Sequence, residues 1–493
     1  MGCIYGRLIM GVLTGLKPEK VFSFFEMLCS VPHGSGNTKQ ISDLCVQFAK
    51  DRGLQVRQDA YNNVVIVKEA SAGYEQAPTV ILQGHIDMVC AYEPDCGIDM
   101  KTDGLNLVVD GDWVKACKTS LGGDNGIAVA ITMAILDDDN LKHPRIEAVF
   151  TTDEETGMDG AIGLDCSDLK GRFLVNMDSE QEGFLTVSCA GGVRAECLFE
   201  AEWETVPADF VCCEFKVEGL KGGHSGAEID KGRASATQLT GRFLHRAEQE
   251  TGLRICSMAG GTFTNVIPLY CGTVVALPAQ KAERFAELCR EYEAVFQAEY
   301  AVADPGLRMS AAPCEKAERM FSAARTRDLL HMMLLCPYGI QAMSMDIPGL
   351  VQTSLNLGVI STNDQGIRLS YSVRSALASQ KQMVVERLQT LCQVFGAEFS
   401  THSAYPGWAY KRDSVLRDAL SDACEAVLGK KPGITATHGG LECGLFMEKI
   451  PGLDCVSLGP DLLEVHSVRE RLSVSSTERL YRIVCSFLEN WKA

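Results

Sequence analysis

Three short apolar runs early in the chain each end on residues that can carry chemistry. Thr79-Val80-Ile81-Leu82-Gln83 leads into Gly84-His85-Ile86-Asp87, Ile146 to Phe150 leads into Thr151-Thr152-Asp153-Glu154-Glu155, and Phe173 to Asn176 leads into Met177-Asp178. Short runs rich in β-branched residues, without polar alternation, are what strands buried on both faces look like. Helical spacing lies between and before them, over Pro18 to Cys29, Thr38 to Arg52 and the apolar stretch after Asn125. That alternation specifies an α/β fold, a mixed sheet flanked by helices. In such sheets the groups that meet ligands collect just beyond the carboxyl ends of the strands.

Past residue 190 the texture changes. A strand at Phe210 to Gly219, a helix at Gly232 to Glu250, a strand pair (GGTFTNVIP and CGTVVALP) and a long amphipathic helix from Ala282 follow one another. A comparable order returns with a helix at Thr326 to Leu335, two strands joined by the turn Asn363-Asp364-Gln365-Gly366, and a helix from Gln382. The reading is an inserted α+β domain that is doubled. The last stretch returns to the first texture, with helix SVLRDALSDACEAVLG, strand GLDCVSLGP and helix TERLYRIVCSFLENW. One α/β domain over 1–190 and 405–493, interrupted by a second domain over 191–404, accounts for this order.

Composition narrows the partners. With 46 Lys+Arg against 64 Asp+Glu the 493-residue chain carries a formal charge of −18. That balance repels phosphate backbones, so nucleic acid is not expected as a partner. No run of about 20 apolar residues is present, so no membrane span is expected. The N-terminus has only Arg7 ahead of a short apolar stretch and no A-x-A site, so a signal peptide is not expected. Gly6 makes it a poor myristoylation match. Met10-Gly11 offers an alternative start to Met1. The 21 cysteines run from Cys3 to Cys485 with no CxxC spacing. They read as small buried residues in a reducing cytoplasm rather than as a disulfide framework.

Taken singly, the candidate motifs are ambiguous. His85 and Asp87 leave a strand on the same side, as a tautomer-fixing pair would, but a solvated pair looks the same. Asp124, in Leu121-Gly122-Gly123-Asp124-Asn125-Gly126 ahead of a helix, is equally an N-cap. Three consecutive acids, Asp153 to Glu155, repel one another unless a cation joins them. Asp178 and the late imidazole His466 complete a set of oxygen and nitrogen donors that suits zinc, manganese or cobalt. Gly222-Gly223-His224-Ser225-Gly226 reads equally as a glycine-rich turn.

Together GHIDMV, LGGDNGI, TTDEETGMDGA, NMDSEQEG, LKGGHSGAEI, THGGLECGLF and the final His466-Ser467 resemble the M20 metallopeptidase family, in its aminoacyl-histidine dipeptidase branch. The resemblance implies two zinc ions, with cobalt or manganese as substitutes, bridged by Asp124 and a water. His85 and Asp178 would hold one ion, Glu155 and His466 the other. Asp87 would stand behind His85, and Glu154 would be the general base. His224 would stabilise the oxyanion, while Asn265 and Arg374 would contact substrate, Arg374 through the dipeptide carboxylate. His438 and Glu442 match a motif near the site and are placed with the substrate-binding residues. Position 123 is Gly where relatives often have Ala, with no consequence expected. The remaining histidines (His33, His143, His245, His331 and His402) are expected to be structural.

The activity implied is metal-dependent hydrolysis of unblocked dipeptides, Xaa-His such as carnosine included, in the cytoplasm. The alternatives are a deacylase or carboxypeptidase acting on N-acyl amino acids with the same metals, and an inactive binding protein on this scaffold. The inserted domain would serve as a lid. Its doubling would let one chain supply His224, so a homodimer is compatible with the site without being required.

Overall fold

A computed structural model describes residues 11–492. The expectations placed on Met1, Cys3, Gly6, Arg7 and Met10 lie outside the described residues. These divide into two compact units. The first comprises the residues up to Ser188, Tyr410–Ala436 and Leu441 onward; the second is Cys189–Ala409 with Thr437–Gly440.

The first unit is built on an eight-stranded sheet. Its order is Gln55–Gln58, Val64–Lys68, Ile146–Thr151, Val80–His85, Phe173–Asn176, Asp454–Ser457, Phe184–Cys189, Gly433–Thr437. Val80–His85 runs parallel to both neighbours, and Asp454–Ser457 runs parallel to Phe173–Asn176. Val64–Lys68 is antiparallel, so the sheet is mixed. Every residue of Val80–His85 and of Ile146–Thr151 is buried, as the apolar runs require. The helix Gly123–Leu136 is buried at every position but Asp124, which explains its apolar character on all faces. A separate four-stranded antiparallel sheet joins Leu462–Leu463, Arg471–Ser473, Trp113–Ala116 and Leu107–Asp110. It brings a late segment of the chain against an early one.

The second unit is doubled, but its halves are nested rather than consecutive. One half runs strand Phe210–Glu218, helix Ala236–Thr251, strands Arg254–Gly260 and Cys271–Pro278, helix Ala282–Glu299, strand Arg308–Pro313. In space these strands lie in the order fourth, first, third, second, a split β-α-β arrangement. The other half opens with Gly191–Glu200 and resumes, after the whole first half, with helix Ala323–Leu335, strands Val351–Asn363 and Gly366–Ser375, helix Ala378–Phe395 and strand Glu398–Tyr405. Its strands take the same order. The halves meet edge to edge where Gly260 opposes Ile360, giving one continuous sheet. Sequence order hid this because Gly191–Glu200, the first strand of the outer half, is separated from its own helix by the inner half.

Alternation along the outer half's strands splits the sheet into two faces. Val193, Ala195, Cys197 and Phe199 join Leu355, Leu357, Leu369, Tyr371 and Val373 in the core under the helices. The opposite face carries Arg194, Glu196, Ser354, Asn356, Ser370, Ser372 and Arg374, paired across neighbouring strands. Cysteines follow the expected pattern: every one among the described residues is a free thiol, and most are buried.

Candidate metal centre

The three central parallel strands of the first unit end on one edge of its sheet, and their ends deliver His85, the Asp153–Glu155 turn and Asp178. His85 Nδ1 lies 3.0 Å from the main-chain carbonyl of Asp87 and 3.4 Å from its carboxylate. The carbonyl is the nearer group, so it does more than the expected carboxylate to fix the ring. Nε2 then faces Asp124 at 3.2 Å and Asp178 at 3.5 Å. The Asp87 carboxylate is taken up instead by Ser35 Oγ at 2.8 Å and by the backbone N–H groups of Glu154 and Glu155 at 3.2 and 3.4 Å. It thereby orients the acidic turn as well as the imidazole.

The consecutive acids have separate destinations. Asp153, with φ of 56°, turns back to accept from the Gly36 N–H at 2.6 Å. Glu155 meets His466 Nε2 at 2.8 Å, and the same nitrogen lies 3.2 Å from Asp124 Oδ2. Asp124 therefore stands between the two imidazoles. It is not a helix cap: the cap position is Gly122, which has no side-chain cap bond, and Asp124 itself departs from helical geometry (φ −86°, ψ 104°). Asn125 ties the region together, accepting from the His85 N–H at 3.2 Å and donating to the Met177 carbonyl at 2.7 Å.

The donors present suit a divalent ion. Ligand atoms of His85, Asp124 and Glu155 all lie within 4.8 Å of one another, and Asp178 and His466 border the same space. The carboxylates conflict without a cation. Burial pushes the Asp178 carboxyl up to about 8 despite its hydrogen bond to His85. Burial likewise raises Glu154 well above the usual range, with the charges of Asp178, Glu442 and Glu155 adding to it and His85 opposing. Asp124 goes the other way: burial opposes its ionisation, but hydrogen bonds to His466 and His85 hold it ionised. His466 is pushed up to about 11 by its hydrogen bonds to Asp124 and Glu155. Acids crowded to this degree make a candidate functional site, and a bound dication would relieve their repulsion.

Glu442 belongs to the floor of this site. It is fully buried, with Oε2 accepting from Gln83 at 2.5 Å and Thr151 at 2.7 Å while Oε1 has no partner. Burial raises its carboxyl to about 7. Its charge adds to the raising of the Glu154 and Asp178 carboxyls.

The remaining candidates lie in the second unit. His224 Nδ1 accepts from the Ala227 N–H at 3.0 Å, which leaves Nε2 as the protonated nitrogen. Its pKa is lowered by burial and then by Arg374, so the ring is a neutral donor. The main-chain carbonyl of Asn265 accepts from the Ser225 N–H at 2.8 Å, placing Asn265 beside this loop. Arg374 donates to the Tyr405 hydroxyl at 3.3 Å and the His438 carbonyl at 3.2 Å; its Nε has no partner, and no carboxylate pairs with it among the described residues. His438 Nε2 lies 2.8 Å from Ser354 Oγ. Arg194, which the sequence did not single out, lies diagonally across the strand pair from Arg374 and bonds Ser372. Of the other histidines, His33 and His143 bond backbone carbonyls, His245 lies against His331, and His402 borders Glu196.

A mixed α/β sheet thus brings imidazoles and carboxylates together past its parallel strand ends as a candidate metal site. Residues 81–490 match the model of peptidase family M20/M25/M40. The chain is 35% identical over 483 residues to the cytosol non-specific dipeptidase of Escherichia coli K12, covering 97% of this chain and 99% of that protein. It superposes on the aminoacylhistidine dipeptidase of Vibrio alginolyticus with a TM-score of 0.93 at 36% identity, covering 99% of this chain and 100% of that one. A tripeptidase from Staphylococcus aureus shares the fold alone, with a TM-score of 0.56 at 15% identity over 96% of this chain and 98% of that one. The chain belongs to peptidase family M20/M25/M40 and is a metallopeptidase.

Proposed function

We propose that this enzyme hydrolyses unblocked dipeptides, Xaa-His among them, with two zinc ions held by His85, Asp124, Glu155, Asp178 and His466. The observation that carries this reading is the placement of Asp124 between His85 and His466, each at 3.2 Å. Similarity to two dipeptidases over nearly the whole chain supports the substrate class. Cobalt or manganese fits the same donors.

When bound, the two ions supply Lewis acidity at the scissile carbonyl and a water of lowered pKa. The chain supplies the rest. Glu154, which is not among the proposed metal ligands, we assign to take a proton from the attacking water and pass it to the leaving amine. Asp87 holds the backbone of Glu154 and so sets where that carboxylate points. We assign the neutral His224 Nε2–H to the developing oxyanion. Arg374, with its unpartnered Nε and no acid of its own, we assign to the substrate carboxylate. Asn265 and His438 complete that set, and the second unit would then act as the lid. The assignment uses one chain, so a homodimer is compatible and unnecessary. We place the enzyme in the cytoplasm, supported by the cytosolic relative and the free thiols; no described helix is long and apolar enough to cross a membrane.

The test is hydrolysis by metal-stripped protein before and after zinc is returned, on carnosine, Leu-His, Ala-Ala, an N-acetylated dipeptide and a tripeptide. Zinc-dependent cleavage confined to the free dipeptides is expected. Cleavage of the acetylated compound alone would make the enzyme a deacylase instead.

A further inference from the structure

We propose that Glu470 is a positioning residue for the metal centre: its carboxylate fastens the loop presenting Asp124 to the loop presenting His466. The inference rests on the metal-binding reading above. Each oxygen of Glu470 accepts two backbone amides. Oε2 takes the N–H groups of Leu121 at 2.7 Å and Gly122 at 3.2 Å; Oε1 takes those of Gly123 at 2.8 Å and Asp124 at 3.3 Å. Four successive amides can converge because Gly122 adopts the left-handed region (φ 68°, ψ 27°), which curls the backbone into an anion-binding nest. The anion filling it comes from 346 residues further along the chain than Asp124, and it is 3% exposed.

The other end of the tie is equally fixed. Glu470 N–H donates to the Ser467 carbonyl at 3.1 Å, Ser467 Oγ donates to the Glu464 carbonyl at 2.6 Å, and Arg471 pairs with Glu464 at 3.1 Å. His466 sits inside this braced loop with φ of 60°. The small antiparallel sheet pairs Arg471–Ser473 with Trp113–Ala116, so both loops spring from adjacent strands. A plain helix cap would account for one or two amides at the start of Gly123–Leu136. That helix is buried nearly all round, so packing suffices to hold it. What the carboxylate adds falls at Asp124, where the backbone leaves helical geometry and presents its side chain to His85 and His466. Groups that hold ligands in place typically change metal affinity or activity by about 10- to 100-fold when removed.

The test compares wild type, Glu470→Gln and Glu470→Asp as full-length metal-free proteins. Each is titrated with zinc against a chelating dye, loaded with cobalt(II) for its visible spectrum, and melted without metal. Gln replaces one accepting oxygen with an NH2 that cannot serve two amides, so at least one zinc should bind about 10- to 100-fold more weakly and the cobalt bands should change. Asp keeps the charge with shorter reach and should recover part of the affinity. A purely structural role would lower the melting temperature while leaving zinc affinity and cobalt spectrum at wild-type values; that result overturns the proposal. If the Gln variant does not fold, wild-type affinity and spectrum in Glu470→Asp overturn it equally. Wild-type protein that binds neither zinc nor cobalt would instead remove the metal reading, and this proposal with it.

Discussion

In the first unit the crowded buried charges are acids: Asp87, Asp124, Glu154, Asp178 and Glu442 face two imidazoles at the end of one sheet. In the second, two guanidiniums stand close together: Arg374 is buried without a carboxylate, and Arg194, with Glu196 nearby, has its pKa lowered by burial and then by Arg374. Burying charge without a counter-charge is expensive wherever it occurs. The contrast is one of sign: on the proposed reading, cations would complete the acids and a substrate carboxylate would complete the guanidiniums.

The largest effect should follow from Glu154, the acid assigned to protons rather than metal. Glu154→Gln should bind two zinc ions while kcat on Ala-Ala falls by about 10²- to 10⁴-fold, read by steady-state kinetics beside metal analysis. Near-normal turnover would reduce the acid excess to metal holding alone. Next comes the guanidinium side. Removing a charged hydrogen-bond donor forfeits about 1.5–3 kcal/mol, so Arg374→Gln should lose roughly 10- to 150-fold in kcat/KM on free dipeptides. A C-terminally amidated dipeptide should be nearly indifferent to the change. Equal losses on both substrates would mean that Arg374 serves folding rather than the substrate carboxylate.

The same contrast explains what the sequence made legible. Residues at the ends of buried strands announce themselves, because an apolar run ending in His-x-Asp or three acids departs from composition, and the fold brings those residues together. Groups in mid-strand do not. Arg194 and Arg374 occupy alternating positions in strands whose polar face looks like any solvated face, so periodicity marked neither; only the resemblance pointed to Arg374. Glu470 was invisible for another reason: its partners are backbone amides of Leu121 to Asp124, and amides leave no side-chain pattern. The nesting of the second unit was hidden because strand order in space cannot be read from strand order in sequence when one motif is inserted into another.

Protonation offers a smaller test of the guanidinium side. Burial, then the charge of Arg374, pulls His438 down to about 4, against roughly 6.5 in an unfolded chain. The folded protein therefore excludes a proton that the unfolded chain binds between those values. The stability associated with this histidine is fully present above pH 6.5 and is lost as pH falls toward 4, amounting to about 2 kcal/mol by pH 5. His438→Gln should flatten the pH dependence of the urea midpoint between pH 7 and 5. An unchanged slope would show that this histidine is not held neutral.

The smallest effect returns to the acid side and corrects an expectation. Position 123 looked indifferent to Gly or Ala, yet a Cβ there would stand 2.7 Å from Leu462 Cδ2 and 3.3 Å from Glu470 Oε1. Leu462 is 4% exposed, so its side chain must shift within packed surroundings. Overpacking costs about 1–3 kcal/mol, while Gly-to-Ala substitution returns about 0.4–1 kcal/mol through the unfolded chain. Gly123→Ala should therefore destabilise by roughly 1 kcal/mol and weaken zinc binding less than Glu470→Gln does. Shortening the obstructing side chain separates the two contacts. In Gly123→Ala with Leu462→Val the steric part should be relieved, giving a favourable coupling in a double-mutant cycle. Any zinc affinity still missing from the double variant would then be due to the crowded Glu470 oxygen, which places metal sensitivity in the carboxylate tie rather than in the surrounding packing.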